Sequence, residues 1–142
     1  MKKTKMLKKN YEFRKVLSKG QYYTGQYVEA LILKNEKSEN YLGIAINTKI
    51  GKAVERNRIK RLFREVYSSL ERNLKDGQSI VLMWKKKQST ENATYKNIKN
   101  DMQSIFDKAK IIWKKNEKNI NKIYWMVSKA YFLMDAAQPH NV

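Results

Sequence analysis

The segment VERNRIKRLFREVYSSLERNL, residues 54–74, restricts the fold more than any other. Ile59, Leu62, Phe63, Val66 and Leu70 recur in it at helical spacing, and the opposite side is left to charge. One face of this helix must therefore find an apolar partner. The helix lies between two strand-forming runs, YLGIAIN before it and QSIVLMW after it, the second continuously apolar and suited to a buried strand. The loop TKIGKA, with Gly51, leads in, and Lys75, Asp76 and Gly77 form the turn out. The sequence thus predicts a strand, helix, strand crossover.

Around this unit, QYVEALILK, residues 26–34, is rich in strand formers, and the polar turn NEKSEN separates it from YLGIAIN, so these two runs are expected to pair as a hairpin. Before them, Asn10 is placed to cap a short helix with Phe13, Val16 and Leu17 on one face, and Gly20 stands where a left-handed helix stop is wanted. After the polar residues 85–92, a third helix carries Tyr95, Ile98, Met102, Ile105, Phe106, Ala109 and Ile112 on one side. No internal repeat is present. Past Trp113 the chain turns polar and then apolar again in IYWMVSKAYFLM, which contains Lys129 and falls short of the ~20 residues of a membrane span, so a docked or interfacial helix is expected there. The division expected is a domain over residues 1–113 and an unassigned extension over 114–142.

Charge narrows the function. Among 142 residues, Lys and Arg number 31 against 13 acids, and a net +18 repels itself unless a polyanion is present. Nucleic acid is the expected partner. The absence of cysteine removes disulfides, thiolate metal sites and thiol nucleophiles, and it fits a reducing cytoplasm. The start MKKTKMLKKNYEF has no apolar core of signal-peptide length. A cytoplasmic protein without membrane contact is the expectation.

The charge concentrates in residues 49–64, where Lys49, Lys52, Arg56, Arg58, Lys60, Arg61 and Arg64 face the single acid Glu55, with Asn57 among them. Arg56, Lys60 and Arg64 fall four residues apart on the helix. Like charges at that spacing repel by a few tenths of a kcal/mol per pair, about 0.2–0.5, which a solvated face would not need and a polyanion relieves. Arginine forks match phosphate oxygens bidentately, so Lys49, Lys52, Arg56, Asn57, Arg58, Lys60, Arg61 and Arg64 are the candidate RNA-binding residues.

A protein-borne nuclease site finds little material. His140 is the only histidine and lies near the end of the chain, while Asp76, Asp101, Asp107 and Asp135 are scattered. No catalytic residue and no metal ligand set is identified. A ribosomal or RNA-assembly protein binding structured RNA is the alternative that composition leaves open.

The motif GKAVERNRIKRLFRE, residues 51–65, separates these readings, because its Arg56-Asn57-Arg58 followed by Lys60, Arg61 and Arg64 resembles the protein component of bacterial ribonuclease P. LKKNYEFRKVLSKG resembles that family's opening helix, and the order of elements agrees as far as about Trp113. The resemblance implies an α+β fold, a two-layer α/β sandwich similar to the second domain of a ribosomal protein. Its antiparallel-type mixed sheet would have about four strands with three helices, and a left-handed crossover would run through the arginine-rich helix. It also implies a protein subunit that binds the catalytic ribonuclease P RNA and the 5′ leader of precursor tRNA, with magnesium bound chiefly by the RNA, which hydrolyses the substrate. No further protein partner is implied.

The family's leader cleft lies between the first helix and the sheet, and by position Phe13, Tyr27 and Ala30, with basic residues of the arginine-rich helix, would line it. Phe13 is equally suited to the core. Two segments depart from the family pattern: Asn47, Thr48 and Lys49 replace a serine-lysine-lysine run, and Ala30 stands where an aromatic is common, with Tyr22, Tyr23 or Tyr27 available as substitutes.

Overall fold

A strand apolar on both faces is stable only with a neighbour on each edge and a layer on each side, and Gln78–Trp84 receives all four. In the computed structural model, which describes residues 3–113, the chain runs β1 (Thr4–Met6), α1 (Asn10–Lys19), β2 (Gln21–Thr24), β3 (Val28–Lys34), β4 (Asn40–Ala45), α2 (Ala53–Leu70), β5 (Gln78–Trp84) and α3 (Tyr95–Lys108). Short 3-10 turns occupy Glu71–Asn73 and Thr90–Asn92. The sheet order is β1-β4-β5-β3-β2. The extension beyond Trp113, with its expected docked helix, lies outside the described residues.

The mixed α+β architecture agrees with expectation, and two details correct it. The sheet has five strands rather than about four, because three residues of β1 pair in parallel with β4, Thr4 opposite Asn40 to Met6 opposite Leu42. The hairpin expected between residues 26–34 and 41–47 does not form. Instead β5 inserts between them, antiparallel to β3 and parallel to β4. A hairpin of β3 with β4 would have left β5 at an edge with its backbone groups unpaired. The actual hairpin joins β2 to β3, pairing Gln21 with Ile32 through Thr24 with Glu29. The β4, α2, β5 connection is the strand, helix, strand crossover read from the sequence, joining two parallel neighbours.

Side-chain alternation divides the sheet cleanly. Val28, Ala30 and Ile32 of β3, Leu42 of β4 and Ile80, Leu82 and Trp84 of β5 are buried in the main core beneath Ile59, Phe63 and Val66 of α2 and Ile98, Met102 and Phe106 of α3. Tyr67 meets Phe106 edge-on at 6.4 Å between ring centroids, and its hydroxyl bonds Thr4 Oγ1 at 2.7 Å. Helices α2 and α3 with the sheet form the sandwich, and α1 crosses the other face. There Leu7, Val16 and Val81 form a second cluster, with Phe13, Leu31, Leu33, Tyr41, Ala45 and Met83 packed around it.

Both ends of α1 differ from expectation. Its N-cap is Lys9 rather than Asn10, and the Glu12 carboxylate accepts the Lys8 N–H at 3.1 Å and the Lys9 N–H at 3.5 Å, satisfying donors no side chain of Lys9 could. Gly20 is extended (φ −71°, ψ 154°), not left-handed. Its need for glycine is steric, since a Cβ there would stand 2.4 Å from the Val16 carbonyl oxygen. In α3, Tyr95 is 41% exposed and leaves the predicted stripe, while Ile112 lies past the helix and bridges Leu74.

The buried acid of α3 fixes how that helix meets the sheet. Asp101 accepts backbone N–H bonds from Gln26 (3.2 Å), Tyr27 (2.6 Å) and Val28 (2.9 Å), holding the β2–β3 turn. Asp101→Ala leaves three backbone donors without their acceptor, and each buried donor so stranded costs ~1–3 kcal/mol. Only the Val28 donor is fully buried, so we expect a stability loss of about 1–3 kcal/mol, read by chemical denaturation. A loss under about 0.5 kcal/mol would show that water replaces the carboxylate at no cost.

Candidate nucleic-acid interface

The basic segment begins where β4 runs out. Asn47 shapes the descent, accepting the Lys49 N–H on Oδ1 at 2.8 Å and the Ile50 N–H on its carbonyl at 3.0 Å. Ile50 is buried, whereas Lys49 and Lys52 are exposed. Lys52 is the N-cap of α2, and its N–H donates to Glu55 Oε1 at 3.2 Å.

The helix then sorts its cations into two groups. Arg56 turns back, and its Nη1 donates to the carbonyls of Thr48 (3.0 Å), Ile50 (3.2 Å) and Gly51 (2.8 Å), tying the loop to the first turn. Arg58 reaches sideways, Nη1 to the Ala93 carbonyl and Nη2 to the Thr90 carbonyl, each at 2.7 Å, clamping the 3-10 turn before α3. Asn57, Arg61 and Arg64 are exposed on the outward side, and Lys60 is half-buried beside them. The eight predicted RNA-binding residues therefore share one loop and one helix, but only Lys49, Lys52, Asn57, Arg61 and Arg64 stand open to a partner. Thr90 and Ala93, which anchor Arg58, carried no sequence signal because they act through backbone carbonyls.

The predicted cleft residues are not brought together. Phe13 is half-buried on α1, its ring so close to Gly43 that a Cβ there would lie 2.5 Å from Cε1. Ala30 is fully buried on the opposite face of the sheet, under the main core, and cannot line a cleft with Phe13. Tyr27 packs against that same core and stacks on Trp84 at 5.9 Å. The correction has one cause: neighbouring strand residues point to opposite faces, so Leu31, not Ala30, accompanies Phe13. Leu17, 47% exposed and one turn after Phe13, extends this surface. At the far rim Tyr22, 52% exposed, donates its hydroxyl to Glu29 Oε2 at 2.8 Å. Of the three tyrosines named as substitutes, Tyr22 alone lies on the face of α1, since Tyr23 packs against the main core. The surface beside α1 that continues along β4 into the basic loop is thus apolar, with Phe13, Leu17, Leu31, Ala45 and Met83.

One acid stands among these cations. Glu55 accepts the Thr90 hydroxyl as well as the Lys52 N–H, and these bonds hold its carboxyl below the ordinary 4.5. A depressed carboxyl stabilises the fold above its unfolded value and loses that contribution as pH falls through its folded value. Glu55→Gln is therefore expected to lower the thermal midpoint at neutral pH, with the gap to the parent closing as pH falls below the ordinary carboxyl value of 4.5. A gap that stays constant with pH would assign Glu55 a role independent of its charge. Among the described residues, no three His, Asp or Glu side chains come together as metal ligands would.

Comparison with known proteins accounts for this arrangement. The family model for ribonuclease P matches residues 1–110. The ribonuclease P protein component of Clostridioides difficile is 34% identical over 77% of this chain and 95% of its own. That of Fusobacterium nucleatum is 38% identical over 75% and 97%. Among solved structures, the Staphylococcus aureus RNase P protein superposes with a TM-score of 0.67 at 26% identity, over 75% of this chain and 96% of its own. The Thermotoga maritima RNase P protein gives 0.63 at 25%, over 70% and 93%. The motif at the start of α2, the sheet crossed by α1 and these likenesses agree, and the chain belongs to the ribonuclease P protein component family.

Proposed function

We propose that this chain is the protein subunit of a ribonuclease P ribonucleoprotein. On this reading it binds the catalytic RNA and the 5′ leader of precursor tRNA and assists endonucleolytic removal of the leader. The observation that carries the reading is the outward side of α2, where Arg61 and Arg64 are exposed and make no hydrogen bond or ion pair to another described residue. Uncommitted forks on a rigid helix suit the phosphates of structured RNA. The apolar surface of Phe13, Leu17 and Leu31 suits a base of the leader, at ~1–3 kcal/mol per stacked base.

Hydrolysis is assigned to the RNA, and magnesium to the RNA as well, a reading supported by the single structural tasks of three carboxylates among the described residues. Asp101 holds a turn, and Glu12 and Glu55 serve helix starts. The cytoplasm is the proposed compartment, and no helix among the described residues is long and apolar enough to cross a membrane.

The test is reconstitution. Protein alone is expected to leave precursor tRNA intact, and addition of ribonuclease P RNA with magnesium is expected to restore cleavage at the mature 5′ end. Cleavage by RNA-free protein, abolished by changing one acid, would refute the assignment, whereas exclusive binding to ribosomal RNA would favour an assembly protein. Within the holoenzyme, Arg61→Ala and Arg64→Ala should each weaken assembly and reduce the salt-dependence slope by about one unit, one phosphate contact apiece. Arg58→Ala should instead lower the thermal midpoint, since its fork holds the turn before α3. An unchanged midpoint with a shallower slope would return Arg58 to the RNA-facing group.

A further inference from the structure

Helix α1 crosses its face of the sheet at mid-height, over the level where Gly43, Val81 and Leu31 are aligned, and so divides that face in two. The half toward Ala45 and Met83 runs on into the basic loop and is the surface already described. The other half, toward Tyr41, Ser79 and Leu33, is a separate groove of about 570 Å3. Its floor is apolar, with Leu7, Val16 and Leu33. Its walls carry Lys15 and Lys19 from α1, Lys34 and Lys37 from the end of β3 and the loop after it, and two tyrosines, Tyr11 and Tyr41.

The chemistry of these walls is that of a single strand's binding partners. Tyr11 is 64% exposed, and Lys9 Nζ lies 5.7 Å from its ring centroid. Lys37 Nζ lies 5.1 Å from the ring of Tyr41. Each ring therefore carries an ammonium over its face, and a base that takes the ammonium's place on the ring leaves that cation free to meet the phosphate. The two lining acids do not cancel this field. Glu12, held by the backbone N–H groups of Lys8 and Lys9, and Glu36 stand against four lysines, so the lining keeps an excess of positive charge. Such a groove repels cationic ligands and is too broadly lined by flexible ammoniums to select one rigid duplex phosphate geometry.

We propose that this groove is a second binding site for single-stranded RNA, distinct from the surface along Phe13 and Leu17 and independent of what that surface binds. Tyr11 and Tyr41 are the stacking platforms. Lys15, Lys19, Lys34 and Lys37 neutralise the backbone. An RNA bound on both sides of α1 would be held at two points of the same sheet face.

The test uses the full chain and a short oligouridylate, followed by the ring NMR signals of Tyr11 and Tyr41. Both sets of signals are expected to shift saturably. In Lys37→Glu and in Tyr11→Ala the concentration needed for the remaining shifts is expected to rise about tenfold, consistent with loss of one phosphate contact or one stacked base. Both residues are exposed, so the thermal midpoint is expected to stay within a degree or two of the parent. Should Tyr11→Ala alone unfold, Lys37→Glu in the surface loop decides. Ring signals that stay still while the oligonucleotide binds elsewhere would overturn the proposal. So would displacement of the oligonucleotide with equal effect by polyglutamate or by an RNA duplex of the same length, which would reduce the groove to a patch of charge.

Discussion

Everything in this fold depends on where β5 is placed. Its seven residues are flanked by β4 on one edge and β3 on the other, and nearly all are buried. A parallel β4–β5 pair cannot be closed by a tight turn and requires a crossover, which here is α2. The crossover lays α2 on one face of the sheet with Ile59, Phe63, Val66 and Leu70 inward, and this alone decides that Asn57, Arg61 and Arg64 look outward. The side of α2 left exposed is thus set by its apolar stripe together with strand order.

Legibility in the sequence followed the strength of each periodic signal. The stripe of α2 and the apolar run of β5 were readable because a helix period and a continuous hydrophobic segment have few alternatives, and both lie where they were predicted. The pairing of β3 with β5 was not readable, since proximity in sequence favours a β3–β4 hairpin and only the need to cover both edges of β5 overrides it. Strand β2 escaped notice because QYYT is largely exposed and shows no alternation. At the cleft the error was one residue. Ala30 and Leu31 are both apolar, so composition could not say which face each takes, whereas pairing with Leu82 and Val81 respectively settles it.

The basic motif illustrates a different limit. Spacing put Arg56 and Arg58 among the cations available to RNA, and the structure gives each a second occupation in the loop and in the turn before α3. No sequence pattern announces a bond to a backbone carbonyl, because every residue type supplies one. The same fact separates two meanings of a dense basic run: some members build the platform on which others are displayed. Asn47 and Glu55 belong with the builders, one shaping the loop and the other joining Lys52 to Thr90.

The choice of carbonyls as partners for the building arginines has an electrostatic consequence. A carboxylate partner would have fixed the loop equally well but would have cancelled a unit of charge at the start of α2. A carbonyl is neutral, so Arg56 and Arg58 hold the structure and still contribute their full charge to the field that RNA meets. Long-range attraction depends on summed charge, while specific contact depends on which forks are free. The chain divides these tasks without giving up either, and its net +18 remains available although part of its basic motif is structurally committed.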